Sequence, residues 1–223
     1  MTSTNRKIEL IIAFLYLLLN AAYHNKAVLI ADIAVVVYLL IGKSRKEKLK
    51  SIGFTRPVNW LKTILICLFF GIVIELCSDI FIDPLIEKIM NLKTDISSYD
   101  YLRGSLPDYL MLLIIGFVLG GFIEEIIFRG FLITRLSSLF RIEWIGNLIA
   151  IVVSSASFGY AHLYYGWSGV ISTGLFGVIS GLIFIKSNKM LWYSILIHGF
   201  SNAASATLIF LNVDKEIYTL IFR

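Results

Sequence analysis

Long apolar runs separated by short polar segments extend along the whole chain. Each run has close to the roughly 20 residues that an α-helix needs to cross the hydrocarbon core of a bilayer. The pattern therefore predicts an all-α fold, a polytopic transmembrane helix bundle of about seven spans around a polar intramembrane cavity. We place the spans at about 8–23, 27–42, 61–82, 109–137, 145–163, 168–186 and 190–212.

The connection at about 83–108 is the longest one between predicted spans. Pro107 suits the first turn of the helix that follows, because proline lacks the backbone N–H that a helix interior needs. We expect this connection to face the outer side of the membrane, either as a lid or as a plain connector.

The composition agrees with a membrane location. Of the 223 residues, 58% are hydrophobic, whereas a soluble domain has about 45–50%, and the mean hydropathy is +0.83. The net charge of +5 arises mostly from a basic cluster between Lys43 and Arg56, which is typical of a cytoplasmic loop next to anionic lipid. We therefore expect an integral membrane protein with a cytoplasmic N-terminus, which has the lipid bilayer and no nucleic acid as a partner.

Three charged residues, Glu124, Glu125 and Arg129, lie in the most apolar part of the chain. A carboxylate at bilayer depth costs roughly 2.5 kcal/mol or more, so such groups mark a functional site by default. Glu125 and Arg129 are four residues apart and share one helix face, so we predict that they form an ion pair. Neighbouring helical residues point about 100° apart, which leaves Glu124 free to face the cavity as a general base or acid. The alternative is a structural ion-pair cluster of all three.

Polar residues that could complete a site occur in two other predicted spans. His162 ends the fifth span, and His198 and Asn202 lie four residues apart on one face of the last. His24 lies between the first two spans, and we assign it no role. Counted in rises of 1.5 Å from the cytoplasmic ends, Glu124 and His162 lie about 20 and 22 Å deep, but His198 only about 12 Å. This count of helical rises does not bring His198 level with Glu124 and His162.

Three motifs follow one another along the chain: Glu-Glu-x-x-x-Arg at 124–129, Phe-x-x-x-His at 158–162 and His-x-x-x-Asn at 198–202. Together and in this order they resemble those of the CPBP family, also called the Abi or type II CAAX prenyl endopeptidase-like family of intramembrane proteases. The resemblance covers roughly Asp108 to Phe210. We accordingly distinguish N-terminal helices at 1–107 from catalytic helices at 108–212, within one integrated membrane domain.

The resemblance implies a membrane-embedded peptidase of a bacterial cell membrane. Its substrates would be peptides or lipid-modified proteins, in bacteriocin processing, self-immunity or the maturation of prenylated CAAX proteins. In the family, the residues that correspond to Glu124 and His162 are thought to activate water. Those that correspond to His198 and Asn202 are thought to hold the oxyanion, with the rest of the first motif in a supporting role.

The resemblance leaves the cofactor and the function class open. We favour a mechanism without a cofactor, in which a glutamate is the base. Zinc is the alternative, with Glu124, His162 and His198 as ligands, although the chain has no His-Glu-x-x-His motif. A non-catalytic membrane immunity or binding protein and a proton-coupled transporter are the competing functions. Inverted repeats would favour transport, and the sequence has none that we can see.

Overall fold

The structure is a computed structural model that describes residues 3–22 and 26–214, so that His24 lies outside the described residues. Every regular element in this part of the chain is helical, which confirms the all-α prediction. The main helices are α1 (Ser3–Ala22), α2 (Lys26–Leu40), α3 (Arg45–Ser51), α4 (Trp60–Met90), α5 (Leu106–Ser137), α6 (Glu143–Ala161), α7 (Gly166–Lys186) and α8 (Leu191–Phe210).

Four of the described helical segments are long and apolar enough to cross a bilayer. They are α4, α5, α6 and α7, the last together with the short turn that precedes it. Val28–Leu40 within α2 is a shorter apolar helix. Helices α1 and α8 coincide with the remaining predicted spans. The chain is therefore an integral membrane protein, while the number of seven spans stays a prediction.

Helix α4 continues beyond residue 82, where we predicted its end. It passes through one π-helical turn, Ser78–Ile82, and extends to Met90 despite Pro84. Proline cannot donate the hydrogen bond that an α-helix requires, and the wider turn before it accommodates the missing bond. Asn91 then ends the helix in a left-handed conformation with a φ of 53°. The connection to α5 is correspondingly shorter than predicted.

Helix α8 packs alongside α4 in the same direction. The Sγ atom of Cys67 lies 3.8 Å from the carbonyl oxygen of Tyr193. Two turns further along both helices, the Ser201 hydroxyl donates to Glu75 at 2.5 Å. Residue numbers therefore rise together along this interface, which brings the polar side of α4 opposite the third motif.

Helices α5 and α8 are antiparallel, and α6 and α7 form an antiparallel hairpin. The hydroxyls of Tyr109 and Thr207 are 3.0 Å apart, near the start of α5 and the end of α8. Between α6 and α7, a β-carbon on Gly159 would lie only 3.0 Å from the Cα atom of Gly174. The absence of side chains at these glycines lets the two backbones approach closely, as is common between membrane helices.

The N-terminal helices α1 and α2 cover the second half of α5. Glu9 of α1 forms a buried ion pair with Arg135 of α5, with an N···O distance of 2.6 Å. Tyr16 of α1 donates to Asp32 of α2 at 2.8 Å, and its ring packs edge-on against Phe128. The N-terminal half thus contacts the helix that carries the first motif.

Candidate active site

Most of the first motif and the residues before it are wound as a π-helix. The π-helical segments of α5 are Gly116–Glu124 and Ile126–Ile133. A π-helix closes its hydrogen bonds over five residues instead of four, and such segments are frequent at functional sites. Because more residues make up each turn, successive side chains diverge by less than the 100° of an α-helix. Glu124 and Glu125 can therefore approach one histidine from two sides.

Glu125 is fully buried, and both of its oxygens have partners. Oε1 lies 3.0 Å from Nη1 of Arg129 and 2.8 Å from Nδ1 of His198, and Oε2 accepts a hydrogen bond from Ser180 at 3.0 Å. The predicted contact between Glu125 and Arg129 is confirmed. Glu125 also holds His198, a contact that the spacing of Glu125 and Arg129 did not predict.

The Arg129 guanidinium lies among aromatic rings, with only 1% of its side chain exposed. Its central carbon is 4.4 Å from the centre of the Phe158 ring, a cation–π contact that adds to the ion pair with Glu125. Phe158 is the first residue of the second motif. This ring therefore packs the first two motifs against each other.

Glu124 faces a cavity. Its side chain is 25% exposed, whereas that of Glu125 is 0% exposed. Oε2 of Glu124 lies 4.0 Å from Nε2 of His198. His198 thus stands between the two glutamates, with one ring nitrogen on the side of each.

The depth that the count of helical rises predicts for His198 was wrong. The count assumes that α8 begins level with the end of α5 at Ser137. Helix α8 instead begins deeper, since a β-carbon on Gly130 would lie 3.3 Å from Cδ2 of Leu191. His198 lies two turns after Leu191, and Glu124 lies nearly two turns before Gly130. The two side chains therefore meet at the same level.

His162 follows the last residue of α6, and its ring lines the cavity. Nδ1 lies 2.8 Å from the carbonyl oxygen of Phe158. A carbonyl oxygen can only accept, so Nδ1 carries the proton and Nε2 of the neutral ring is an acceptor. Among the described residues Nε2 has no hydrogen-bond partner. This nitrogen is therefore available to a ligand or to water.

Asn202 lines the same cavity one turn beyond His198. Its Nδ2 donates to the carbonyl of Gly116 at 3.1 Å, at the start of the π-helical segment. A β-carbon on Gly116 would lie 3.3 Å from that of Asn202, so a glycine permits this approach. The amide has two N–H groups, and one of them remains for a ligand.

One cavity of about 420 Å³ brings the predicted catalytic residues together. Its wall includes Glu124, His162, His198 and Asn202. This volume falls within the roughly 300–1,000 Å³ of typical ligand sites. Glu125 and Arg129 lie behind the wall and are not part of it, in keeping with their supporting role.

Helix α4 contributes an acidic wall that the sequence analysis did not identify. Glu75, Asp79 and Asp83 line the cavity, and serine hydroxyls donate to Glu75 and Asp83. Among the described residues, no lysine or arginine lines this cavity. The three carboxylates follow one another at four-residue spacing within an apolar run, which places them on one helix face. That spacing was the signal that could have revealed them.

The proposed zinc ligands do not fit a zinc ion in this arrangement. No group of three His, Cys, Asp or Glu side chains in the described residues could hold a metal ion. Zinc bonds of about 2.0–2.1 Å in a tetrahedron bring ligand atoms to roughly 3.4 Å from each other. The 4.0 Å between His198 Nε2 and Glu124 Oε2 is wider than this. We therefore derive no step through a metal.

Residues 106–204 match the family model described as type II CAAX prenyl endopeptidase Rce1-like. The matched segment runs from the start of α5 into α8 and includes all three motifs. Neither a curated protein nor a solved structure matches the chain. The family implies a membrane protease, that is, a hydrolase. The match over residues 106–204 supports the resemblance to the CPBP family of type II CAAX prenyl endopeptidase-like proteins that the three motifs indicate.

Proposed function

We propose that the protein is an intramembrane endopeptidase in which Glu124 activates water for attack on a peptide bond. The observation that supports this most strongly is the difference between the two glutamates. Glu125 is occupied by Arg129, His198 and Ser180, whereas Glu124 is partly exposed in the cavity. A partly solvated carboxylate in a polar cavity can take a proton from a bound water.

In the proposed reaction, a water molecule lies between Glu124 and the scissile carbonyl. Glu124 takes one proton from the water as its oxygen attacks the carbonyl carbon. His162 accepts a hydrogen bond from the same water at Nε2 and so orients its lone pair toward the carbon. The tetrahedral intermediate collapses when the proton held by Glu124 passes to the leaving amine, which breaks the C–N bond.

Asn202 and His198 are the proposed donors to the negative oxygen of this intermediate. Asn202 retains one N–H beyond the one that Gly116 accepts. His198 donates Nδ1–H to Glu125, so its Nε2 can donate only when the ring carries both protons. In that form the ring lies between the side chains of Glu125 and Glu124. Donors that are held in place before the reaction stabilise the developing charge without having to reorganise, which makes a large contribution to catalysis.

The proposed substrate is a peptide or a lipid-modified protein that binds in the cavity. Substrates of this class would be cleaved in bacteriocin processing, in self-immunity or in CAAX-like protein maturation. The acidic wall of α4 would repel a free C-terminal carboxylate placed beside Asp79.

The substitution Glu124→Gln tests the proposed function. Because general-base catalysis contributes about 10²–10⁴-fold, we expect proteolysis to fall by at least about 100-fold while expression and insertion are retained. The measurement is mass spectrometry of peptide termini in membranes of cells that produce the wild-type or the variant protein. Glu143→Gln is the matched control, since the Glu143 side chain is 79% exposed. Equal sets of new termini with wild type and Glu124→Gln would refute the role of Glu124.

A zinc chelator and an immunity assay separate the alternatives in the same cells and membranes. We expect a chelator to leave cleavage unchanged. Loss of cleavage that zinc alone restores would make Glu124, His162 and His198 ligands. Protection from a bacteriocin by both wild type and Glu124→Gln, without new termini, would instead support a non-catalytic immunity protein.

A further inference from the structure

The connection between α4 and α5 borders the cavity. Its residues Thr94, Ile96 and Tyr99 form part of the cavity wall. The segment reaches from the end of α4 past the turn between α6 and α7 to the end of α8. These helix ends all lie at the same end of the bundle. We call residues 93–103 the lid.

The first attachment of the lid is to Tyr165, in the turn between α6 and α7. The hydroxyls of Tyr99 and Tyr165 are 2.7 Å apart, and their rings stack with centroids 6.1 Å apart and planes 30° apart. The backbone N–H of Asp95 donates to the carbonyl of Tyr165 at 3.0 Å. The lid thus holds Tyr165 by its main chain and by its side chain.

The second attachment joins the lid to the end of α8. Arg103 makes two parallel hydrogen bonds of 2.7 Å to Asp214, the two-pronged geometry that suits arginine and carboxylate. The next N–H, that of Gly104, donates to the carbonyl of Phe210 at 3.1 Å. The hydrogen bonds to Asp214 raise the pKa of Arg103 above its usual range. The end of the lid is therefore joined to the end of α8 by side-chain and main-chain hydrogen bonds.

Tyr165 also forms one wall of the slot that holds His162. The two rings stack with centroids 5.9 Å apart and planes 17° apart. Phe158 packs against the imidazole at 4.7 Å, and its carbonyl holds Nδ1. Tyr165, which the lid holds by hydrogen bonds, therefore also sets the orientation of the His162 imidazole.

We propose that the lid gates the cavity and that Tyr165 is a positioning residue that couples lid closure to the orientation of His162. With both attachments closed, Tyr165 is fixed and the imidazole lies flat against it. When the hydrogen bond from Tyr99 breaks, Tyr165 keeps its packing on Tyr164 but loses one of the contacts that fix its side chain, and the ring of His162 gains freedom to turn. A substrate would then enter with the lid open and be cleaved with the lid closed. The effect of lid closure on cleavage rests on the proposed function, whereas the gating of the cavity does not.

Labelling of a cysteine inside the cavity tests the gate in purified protein in detergent. Cys67 and Cys77 are replaced by alanine, and Thr173 of the cavity wall is replaced by cysteine. Loss of one hydrogen bond should raise the rate of reaction with a bulky maleimide about 3- to 10-fold in Tyr99→Phe and in Tyr165→Phe. The double variant should react no faster than either single one, because both remove the same bond.

Tyr101→Phe is the matched control, since Tyr101 lies in the same lid with 54% of its surface exposed. Its labelling rate should equal that of the parent protein. Equal rates in all variants would overturn the gate. This measurement needs no enzymatic activity, so failure of the gate and failure of the proposed function are distinguishable.

The positioning role is tested by NMR of ¹⁵N-labelled histidine. The chain has three histidines, and His162→Gln identifies the signal of interest. The Nδ1–H of His162 should exchange with solvent about 3- to 10-fold faster in Tyr99→Phe and at the parent rate in Tyr101→Phe. If the protein cleaves, kcat should fall by the same factor with KM unchanged. Unchanged exchange together with faster labelling would overturn the role of Tyr165 and leave the gate standing.

Discussion

Glu124 and Glu125 have the same chemistry, and their surroundings assign them different roles. Glu125 balances the buried charge of Arg129, whereas Glu124 is open to the cavity. Removing one partner of a buried ion pair typically costs about 3–5 kcal/mol, because a charge is left uncompensated. A Glu125 variant would therefore lose activity through misfolding as readily as through chemistry. Glu124 is for that reason the residue whose substitution is informative.

Asn202→Ala tests the oxyanion donors at the same scale. Loss of one such donor costs about 100- to 1,000-fold in rate, so kcat should fall by this factor while KM changes little. The folded protein should lose only about 1 kcal/mol, the typical contribution of the hydrogen bond that Gly116 accepts. The measurement combines cleavage kinetics on an identified substrate with thermal unfolding in detergent.

Asn147→Ala is the control for this prediction. Asn147 is buried in α6 and does not line the cavity. This variant removes a buried amide of the same size, whose Oδ1 has no hydrogen-bond partner among the described residues, so its kcat should remain near that of the wild type. A similar fall of kcat in both variants would mean that Asn202 acts through stability alone.

At the scale of the element, α4 combines an apolar surface with one acidic face. Asp79 lies between Glu75 and Asp83 along this face, and it makes no hydrogen bond within the described residues. Like charges four residues apart on a helix destabilise it by about 0.2–0.5 kcal/mol per pair. Charge repulsion along this face therefore lowers the stability of α4, and the packing of the helix does not explain why these carboxylates are present.

Asp79→Asn should raise the thermal stability of the protein, because the neutral amide has neither the cost of burying a carboxylate nor repulsion from Glu75 and Asp83. Two pairs at the magnitude above correspond to roughly 1–3 °C in unfolding temperature. Asp108→Asn is the control of opposite sign, since Asp108 lies in the first turn of α5, where a negative charge stabilises the helix. Thermal unfolding in detergent measures both. A fall in stability for Asp79→Asn would show that its carboxylate has a stabilising partner.

At the scale of the whole molecule, the long helices place the cavity inside the membrane-embedded bundle. The lid lies at one end of the bundle, and the basic helix α3, which follows α2, lies at the other end. Basic residues are retained on the cytoplasmic side of membranes. The charge pattern therefore predicts that α3 is cytoplasmic and that the lid faces outward.

Single cysteines in intact cells test this orientation. In a protein without Cys67 and Cys77, we expect a cysteine at exposed Tyr101 to react with a membrane-impermeant maleimide. A cysteine at exposed Lys46 should react only after the cells are opened. The reverse pattern would contradict the predicted cytoplasmic N-terminus.

The sequence by itself determined the helical class, the membrane location and the three motifs. Apolar run length depends only on the chain and on the thickness of a bilayer, so the spans other than α4 lie close to their predicted ranges. The contact between Glu125 and Arg129 was also predictable, because it arises within one helix. The family match over residues 106–204 agrees with the motifs that the sequence contains.

Only the tertiary structure decided how these helices meet. The level of His198 depends on where α8 begins relative to Gly130, and run lengths do not contain that offset. The sharing of His198 between two glutamates requires the π-helical winding of α5, which spacing rules for an α-helix do not describe. The lid joins helices that are far apart in the chain, and only packing brings the acidic face of α4 to the cavity. Such contacts depend on helix directions and crossings, which packing sets after each helix has formed.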